Sequence, residues 1–593
     1  MNTMHANTRQ QHQQQPSPEG PIAALLGFAV GIGATVWLGA ELAALTRNRQ
    51  AFPTSASIII DTLTRLPQHM SEPKFAWPPE VAAVLPGPVL YWFCTFIIVA
   101  MFLAVFIMMV KLFRSGPDTL DRRKRMGVNT NAQFARPRDL RPLLVDKPQR
   151  NRVVFGKLGK KYVCSEPPRT GRSKPGRDIR NGRGAVAAVG PSRSGKSTLA
   201  MEMIRHWGGP VIAVSVKSDL IDHTIDTRTA MLGSQVKCFD PTNSARLGTS
   251  TWTPLRAATT VDGALRAASH LVKTAPSAST VEGGDHWRKQ AEILLAGLLA
   301  VAAGSDRTMG DVANWITAQD MPTDKGPGEI APLSKALTIA DEHWKRELGV
   351  FAERTLVGLW RKEQRSVSPV YSTAANIIWP WVDSSVAASA STCDIDLPWL
   401  CSGPNTLYVC APLIDQDRTS GVLSGLIGDL IGQVNEENIR GRTIAPEILL
   451  VIDEAGNLKL DDLPIWASTL AGMGVQLVTI WQSTAQIKAK YGTRADVLMT
   501  NFLTKIWFPG MSDLDGLNYV EAISGDEHLS NALRRGQQPD DRPGVTSLPL
   551  VQRKALREMP TGKALLQHGS LPPAIIDAFQ PVIPRGRRRR AKR

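Results

Sequence analysis

Two long apolar runs stand near the start of the chain. Pro21–Ala40 carries no charge, and only Glu41 interrupts the run before Leu45. Val81–Val110 is uncharged throughout, and its Val99–Met109 stretch is wholly apolar. A helix crosses a bilayer with about 20 predominantly apolar residues, so the pattern predicts two transmembrane helices, at about 21–45 and 86–110. From Gly184 the texture changes. Short β-rich runs alternate with helical stretches, which predicts a parallel sheet with crossover helices. The predicted strands are Ala185–Val189, Val211–Val216, Val236–Phe239, Thr406–Cys410, Ile448–Ile452, Val475–Trp481 and Lys505–Phe508. Between the third and fourth, residues 256–400 are Ala-rich and helical in pattern, with Trp287, Trp315, Trp344 and Trp360 spread through them. They predict an inserted all-helical subdomain.

At 593 residues the chain is too long for one core. With 43% hydrophobic and 21% charged residues it is neither disordered throughout nor collagen-like. Its net charge of +16 is unevenly placed. Residues 111–186 hold 21 Lys and Arg against six Asp and Glu, and the last nine residues, from Arg585, add seven basic groups and no acid. The remainder is mildly acidic. Lys111, Arg114 and Arg122–Arg125 follow the second apolar run directly, so the positive-inside rule places the C-terminal body in the cytoplasm. A short loop of about 35–40 residues between two spans leaves little for an extracytoplasmic domain. The later basic residues, Arg169–Arg183, and the C-terminal cluster could each neutralise phosphates or be solvated linker and tail; the residues do not choose. None of the six cysteines forms a C-x-x-C pair, which disfavours a zinc site or disulfide framework.

Gly190-Pro191-Ser192-Arg193-Ser194-Gly195-Lys196-Ser197 fits G-x-x-x-x-G-K-[ST] in full and is followed by Thr198, with a strand pattern before it and a helical Leu199–Trp207 after it. Glycines let backbone N–H groups turn inward around phosphate oxygens, and the following helix N-terminus adds its positive end. Lys196 is expected on the β- and γ-phosphates and Ser197 on Mg²⁺. Ile448–Ile452 is an apolar strand ending in Asp453-Glu454. The carboxyl edge of an α/β sheet is where ligands bind. Asp453 is expected to hold Mg²⁺ and Glu454 to act on the attacking water. Gln482, at the tip of the next strand, is either a γ-phosphate or water-orienting residue or an ordinary strand-end polar group. The order of P-loop, strands, insertion and Asp-Glu strand predicts a RecA-like P-loop ATPase, α/β with a parallel-sheet core and an inserted all-α subdomain, preceded by two transmembrane helices.

These stretches resemble the type IV coupling proteins of conjugation and type IV secretion, the TraG/TraD-type family. The residues that carry the resemblance are the P-loop, Phe239-Asp240-Pro241, Trp252-Thr253-Pro254-Leu255 and Asp285-His286-Trp287 with Ala291. Further on come Val451–Asn457, Gln482-Ser483-x-x-Gln486-Ile487, Tyr491-Gly492 and Gly562-x-Ala564-Leu565 near His568-Gly569. The resemblance spans about residues 184–570. It implies a homo-hexameric ATPase of the bacterial inner membrane. Such an enzyme delivers relaxase-linked, single-stranded DNA, or protein, to a type IV secretion channel, and uses its helical insertion to receive substrate. Two departures stand out. Lys217-Ser218-Asp219 replaces a Lys-Gly-Glu pattern, and Thr469–Gly474 lacks an Arg before its Gly-x-Gly. Arg494 is a candidate substitute if that Arg acts across subunits.

The expected organisation is a disordered segment at 1–20 and a membrane anchor at 21–112. A basic connector at 113–183, with one hairpin near Val153–Phe155 and Tyr162–Cys164, leads to a nucleotide-binding domain at 184–255 and 401–570, interrupted by the insertion at 256–400. A basic tail at 571–593 ends the chain. The expected activity is ATP hydrolysis with Mg²⁺ that drives DNA transfer. The alternatives are an FtsK-like double-stranded DNA translocase and a nucleotide-dependent substrate receptor without motor activity.

Overall fold

The computed structural model describes residues 19–49, 51–52, 54–114, 124–126, 128–167, 183–243, 247–274, 284–324, 326–410, 416–530 and 545–579. Residues 1–18, the basic residues Arg169–Arg180 and the Arg585–Arg593 cluster lie outside these. The chain forms two compact units, Met1–Thr130 and Asn131–Arg593.

In the first unit both apolar runs are helical, Glu19–Asn48 and Pro88–Arg114. They pack together where Gly39 removes a side chain: a Cβ there would stand 2.8 Å from Thr95 Cα. Among the described residues one stretch, Pro88–Met109, is long and apolar enough to cross a membrane, by length and composition. It is the second of the two expected spans; the side chains of residues 19–30, in the first, lie outside the described residues. Between the helices, Phe52, Leu66, Trp77, Val81 and Leu85 form a small core with Tyr91, and Trp77 Nε1 donates to Tyr91 Oη at 3.2 Å. Beyond that core, Phe93, Phe96, Phe102 and Phe106 all face outward, Phe106 at 64% exposure. An apolar surface of this kind calls for a non-aqueous cover.

The second unit is built on one twelve-stranded sheet. In spatial order it runs Leu144–Val145, Lys161–Cys164, Val154–Leu158, Ala574–Asp577, Lys563–His568, Phe502–Trp507, Ala185–Val189, Val475–Trp481, Ile448–Ile452, Val211–Ser215, Thr406–Cys410 and Val236–Phe239. The last seven are parallel to one another. They are the seven strands the sequence pattern predicts, with ends shifted by a few residues. Their runs are apolar without alternation because both faces are covered. One face carries Ala185, Ala187, Val189, Leu450 and Ile452, and the other carries Val186, Ala188, Leu449 and Val451.

Three of the five antiparallel strands, Leu144–Val145, Lys563–His568 and Ala574–Asp577, are a finding beyond the pattern. The hairpin expected near Val153–Cys164 exists, and it closes the sheet's edge by pairing Lys157 with Asp577. Part of the supposed connector thus belongs to the folded core. Arg183 likewise does not line an open path: its Nε donates to the Glu166 carbonyl at 2.9 Å, and its guanidinium pairs with Glu447.

Among the described residues, 261–401 hold eight α-helices, from Val261–Thr274 to Leu397–Cys401. The helix Met309–Thr317 opens with a capping box, Thr308 and Asp311 each serving the other's backbone N–H. Trp315 and Trp360 are held by Glu329 and Tyr371, whereas Trp344 is exposed. The buried side chains of these helices, such as Leu294, Leu298 and Leu356, continue into one face of the sheet as a single apolar cluster. The insertion therefore shares its core with the sheet rather than standing apart.

Candidate active site

Gly190–Thr198, Asp453, Glu454 and Gln482 follow the carboxyl ends of parallel strands. The strand Ala185–Val189 ends at Gly190, and the helix Lys196–His206 begins after a loop in which Arg193 and Gly195 adopt φ of 65° and 105°. A positive φ costs L-residues energy and glycine little, so Gly195 suits its place. At Gly190 a Cβ would meet Phe508 Cβ at 2.6 Å and Ser194 Oγ at 3.1 Å. The Gly190 N–H donates to the Trp481 carbonyl at 3.2 Å. This ties the loop to the residue just before Gln482.

Lys196 is buried and folds back, its Nζ donating to the Gly190 and Pro191 carbonyls, both at 2.6 Å. Burial drags its ammonium down from 10.5 to about 8, although Asp453 and Glu454 favour the charged form. Ser197 Oγ donates to Asp453 Oδ2 at 3.2 Å. Asp453 is buried too. Desolvation pushes its carboxyl up from the usual range and the Glu454 charge adds to the rise, against the opposing Ser197 hydrogen bond and Lys196 charge. Glu454 sits at φ 53°. Both its oxygens are engaged, Oε1 by Lys217 Nζ at 3.4 Å and Oε2 by Asn457 Nδ2 at 3.1 Å. Ser192 and Arg193 are exposed, and Thr198 is half-buried in the first helical turn.

The donor set fits a nucleotide polyphosphate and a divalent cation. Ser194 Oγ is buried inside the loop with no hydrogen-bond partner, which is costly unless a ligand satisfies it. The Ser197 hydroxyl and the Asp453 carboxylate form the oxygen pair that a hard cation takes.

Gln482 lies at the strand tip as expected. Its backbone N–H donates to Gln486 Oε1 at 3.0 Å. Arg494 is exposed and donates to the Asp461 carbonyl at 2.8 Å in its own chain. Sequence reasoning gave no role to Lys217 on Glu454, to Lys490, or to Phe508 and Phe579. The last two flank Gly195, with Phe508 Cε1 3.6 Å and the Phe579 carbonyl 3.9 Å from a Cβ placed there. Lys217 follows its strand by only two residues, so a charged group at that edge was a usable signal. Phe579 offered none, because its place depends on the antiparallel strands.

Residues 154–527 match the family of type IV secretory system conjugative DNA transfer proteins. The chain belongs to this family. A comparison with curated proteins returns no match. Among solved structures, this family member is similar in fold to the plasmid coupling protein TrwB. In complex with the ATP analogue ADPNP, TrwB aligns with a TM-score of 0.54 and 15% identity over 79% of this chain and 97% of its own. The unbound monoclinic form of TrwBdeltaN70 gives 0.51 and 16% over 67% and 86%. At such identity the likeness concerns the fold.

Proposed function

We propose that the protein is a membrane-anchored ATPase that couples ATP hydrolysis to the delivery of DNA into a type IV secretion channel. The carrying observation is Ser197 facing Asp453 at the edge of the sheet, in a chain of the conjugative DNA transfer family. In this reading Lys196 leaves the Gly190 and Pro191 carbonyls for the β- and γ-phosphates. The backbone from Gly190 to Thr198 cradles them, with Ser194 Oγ finding its partner there. Ser197 and Asp453 hold Mg²⁺, which supplies charge neutralisation at those phosphates. Glu454 orients the attacking water and accepts its proton, and Gln482 stands at the γ-phosphate side. TrwB, solved with ADP and Mg²⁺, supports ATP and Mg²⁺ as the ligands.

Pro88–Met109 anchors the chain in the bacterial inner membrane, with Glu19–Asn48 packed beside it as a second anchoring helix and the sheet in the cytoplasm. The partners are relaxase-linked single-stranded DNA, the channel proteins and further copies of this chain in a homo-hexamer. The full-length protein in detergent should hydrolyse ATP faster when single-stranded DNA is added, and Lys196→Ala should abolish plasmid transfer in a mating assay. Equal turnover with and without DNA argues against the DNA motor, and undiminished transfer by the variant overturns the ATPase assignment.

A further inference from the structure

The helix Thr484–Tyr491 follows Gln482 directly. Its start is pinned: Ser483 Oγ accepts the Gln486 N–H at 3.3 Å, and the Asp513 carboxylate accepts the Thr484 and Ala485 N–H groups at 2.7 and 3.2 Å. Gln486 and Lys490 are four residues apart and therefore share one helix face. That face meets the turn following Asp453-Glu454. The Gln486 side chain reaches back to the Gln482 N–H and also lies against Gly456, where a Cβ would stand 2.9 Å from Oε1 and 3.0 Å from Cδ. Lys490 Nζ donates to the Ala455 and Gly456 carbonyls at 3.1 and 3.2 Å. Asn457, in the same turn, holds the Glu454 carboxylate.

We propose that Gln486 and Lys490 are positioning residues that fix the Asp453–Asn457 turn against the tip of the neighbouring strand, and so hold Glu454 where it can act on water. The proposal rests on the reading of Glu454 as the residue that activates water. It gives a physical reason for the second Gln of the Gln-Ser-x-x-Gln element. Gln482 N–H and the Gly456 backbone are bridged by one side chain, so a shift at either strand tip moves the other. Lys490 adds a half-buried cation aimed at two carbonyls. Burial brings its ammonium down to about 8, a cost sustained for those two contacts.

The test is steady-state ATPase kinetics on the full-length protein in detergent. Gln486→Leu and Lys490→Met are expected to lower kcat by about 10- to 100-fold, the loss typical of a displaced catalytic group, with KM for ATP little changed. Gln486→Glu, which keeps an acceptor oxygen, and Lys490→Arg, which keeps donors, should recover most of kcat. Gly456→Ala provides a second route that leaves both side chains in place, since its methyl group displaces the Gln486 amide and loosens its hold on the Gln482 N–H. Lower thermal stability with kcat unchanged in all three disruptive variants overturns the proposal, because a structural role alone would give that result. Glu454→Gln separates the two readings. If it retains kcat, the water-activating role fails and positioning fails with it. If it abolishes turnover while Gln486→Leu, Lys490→Met and Gly456→Ala do not lower it, positioning alone fails.

Discussion

Ser197 Oγ and Asp453 Oδ2 stand 3.2 Å apart although 256 positions separate them in the chain. The contact brings the first turn after the P-loop to the end of a strand two places away in the sheet, since Val475–Trp481 lies between. It also sets a conflict. Asp453 is buried beside a second carboxylate, and its proton affinity is raised.

That conflict predicts a trade between stability and activity. The folded state binds the Asp453 proton more tightly than the unfolded chain does. Stability available below the ordinary value of 3.8 is therefore lost as pH rises through the raised folded value. At neutral pH, Asp453→Asn should raise the Tm of the nucleotide-free protein. It should also lower Mg²⁺-dependent ATPase activity by about 100-fold or more, the scale of several kcal/mol of metal-assisted charge stabilisation. A lower Tm in the variant would show that the carboxylate is a net stabiliser.

Lys217 holds one oxygen of Glu454 and is itself more than half exposed, at 55%. Ion pairs of this kind contribute about 0–1 kcal/mol. Lys217→Met should therefore shift the urea midpoint little. It should raise DNA-independent ATP turnover by up to about fivefold, because 1 kcal/mol corresponds to that factor and Glu454 Oε1 is released. A slower basal rate would show that Lys217 assists Glu454 instead.

Lys505 sits in the strand beside the P-loop strand, its Nζ donating to the Phe502 carbonyl at 2.6 Å. Burial lowers its pKa from 10.5 to about 8. The folded state thus releases this proton first, and the stability linked to the group is present above pH 10.5 and lost as pH falls toward 8. Denaturant titrations of wild type and Lys505→Met should converge at pH 10.5 and separate by pH 8, with the variant the more stable. Parallel curves across that window would show that Lys505 does not titrate there.

The outward phenylalanines of Pro88–Met109 provide a test of the anchor. Replacing Phe102 and Phe106 by lysine places charges where each costs roughly 2.5–3.5 kcal/mol at a helix centre. The variant should appear in the alkaline-wash supernatant of membranes that retain the wild type. Retention of both would argue against this segment as the anchor.

Much of the site was legible because it is local. Gly190–Ser197 dictates its own loop through glycine and lysine spacing, and Ile448–Ile452 announces a doubly covered strand that must end at a sheet edge. The seven parallel strands are equally legible, since a strand buried on both faces is apolar at every position. Lys563–His568 and Ala574–Asp577 were not: they become strands only because Phe502–Trp507 and the Val154–Cys164 hairpin offer them edges.

By itself, then, the sequence determined the repeating strand-helix pattern, the phosphate loop and the carboxylate pair, all set by residues within a few positions of one another. Only the tertiary structure decided that part of the basic stretch closes the sheet, that the helical insertion shares its core, and that Lys217, Gln486 and Lys490 reach the Asp453–Asn457 turn. These are contacts between distant segments, governed by strand order and by which helix face packs where, and no local run of residues encodes them.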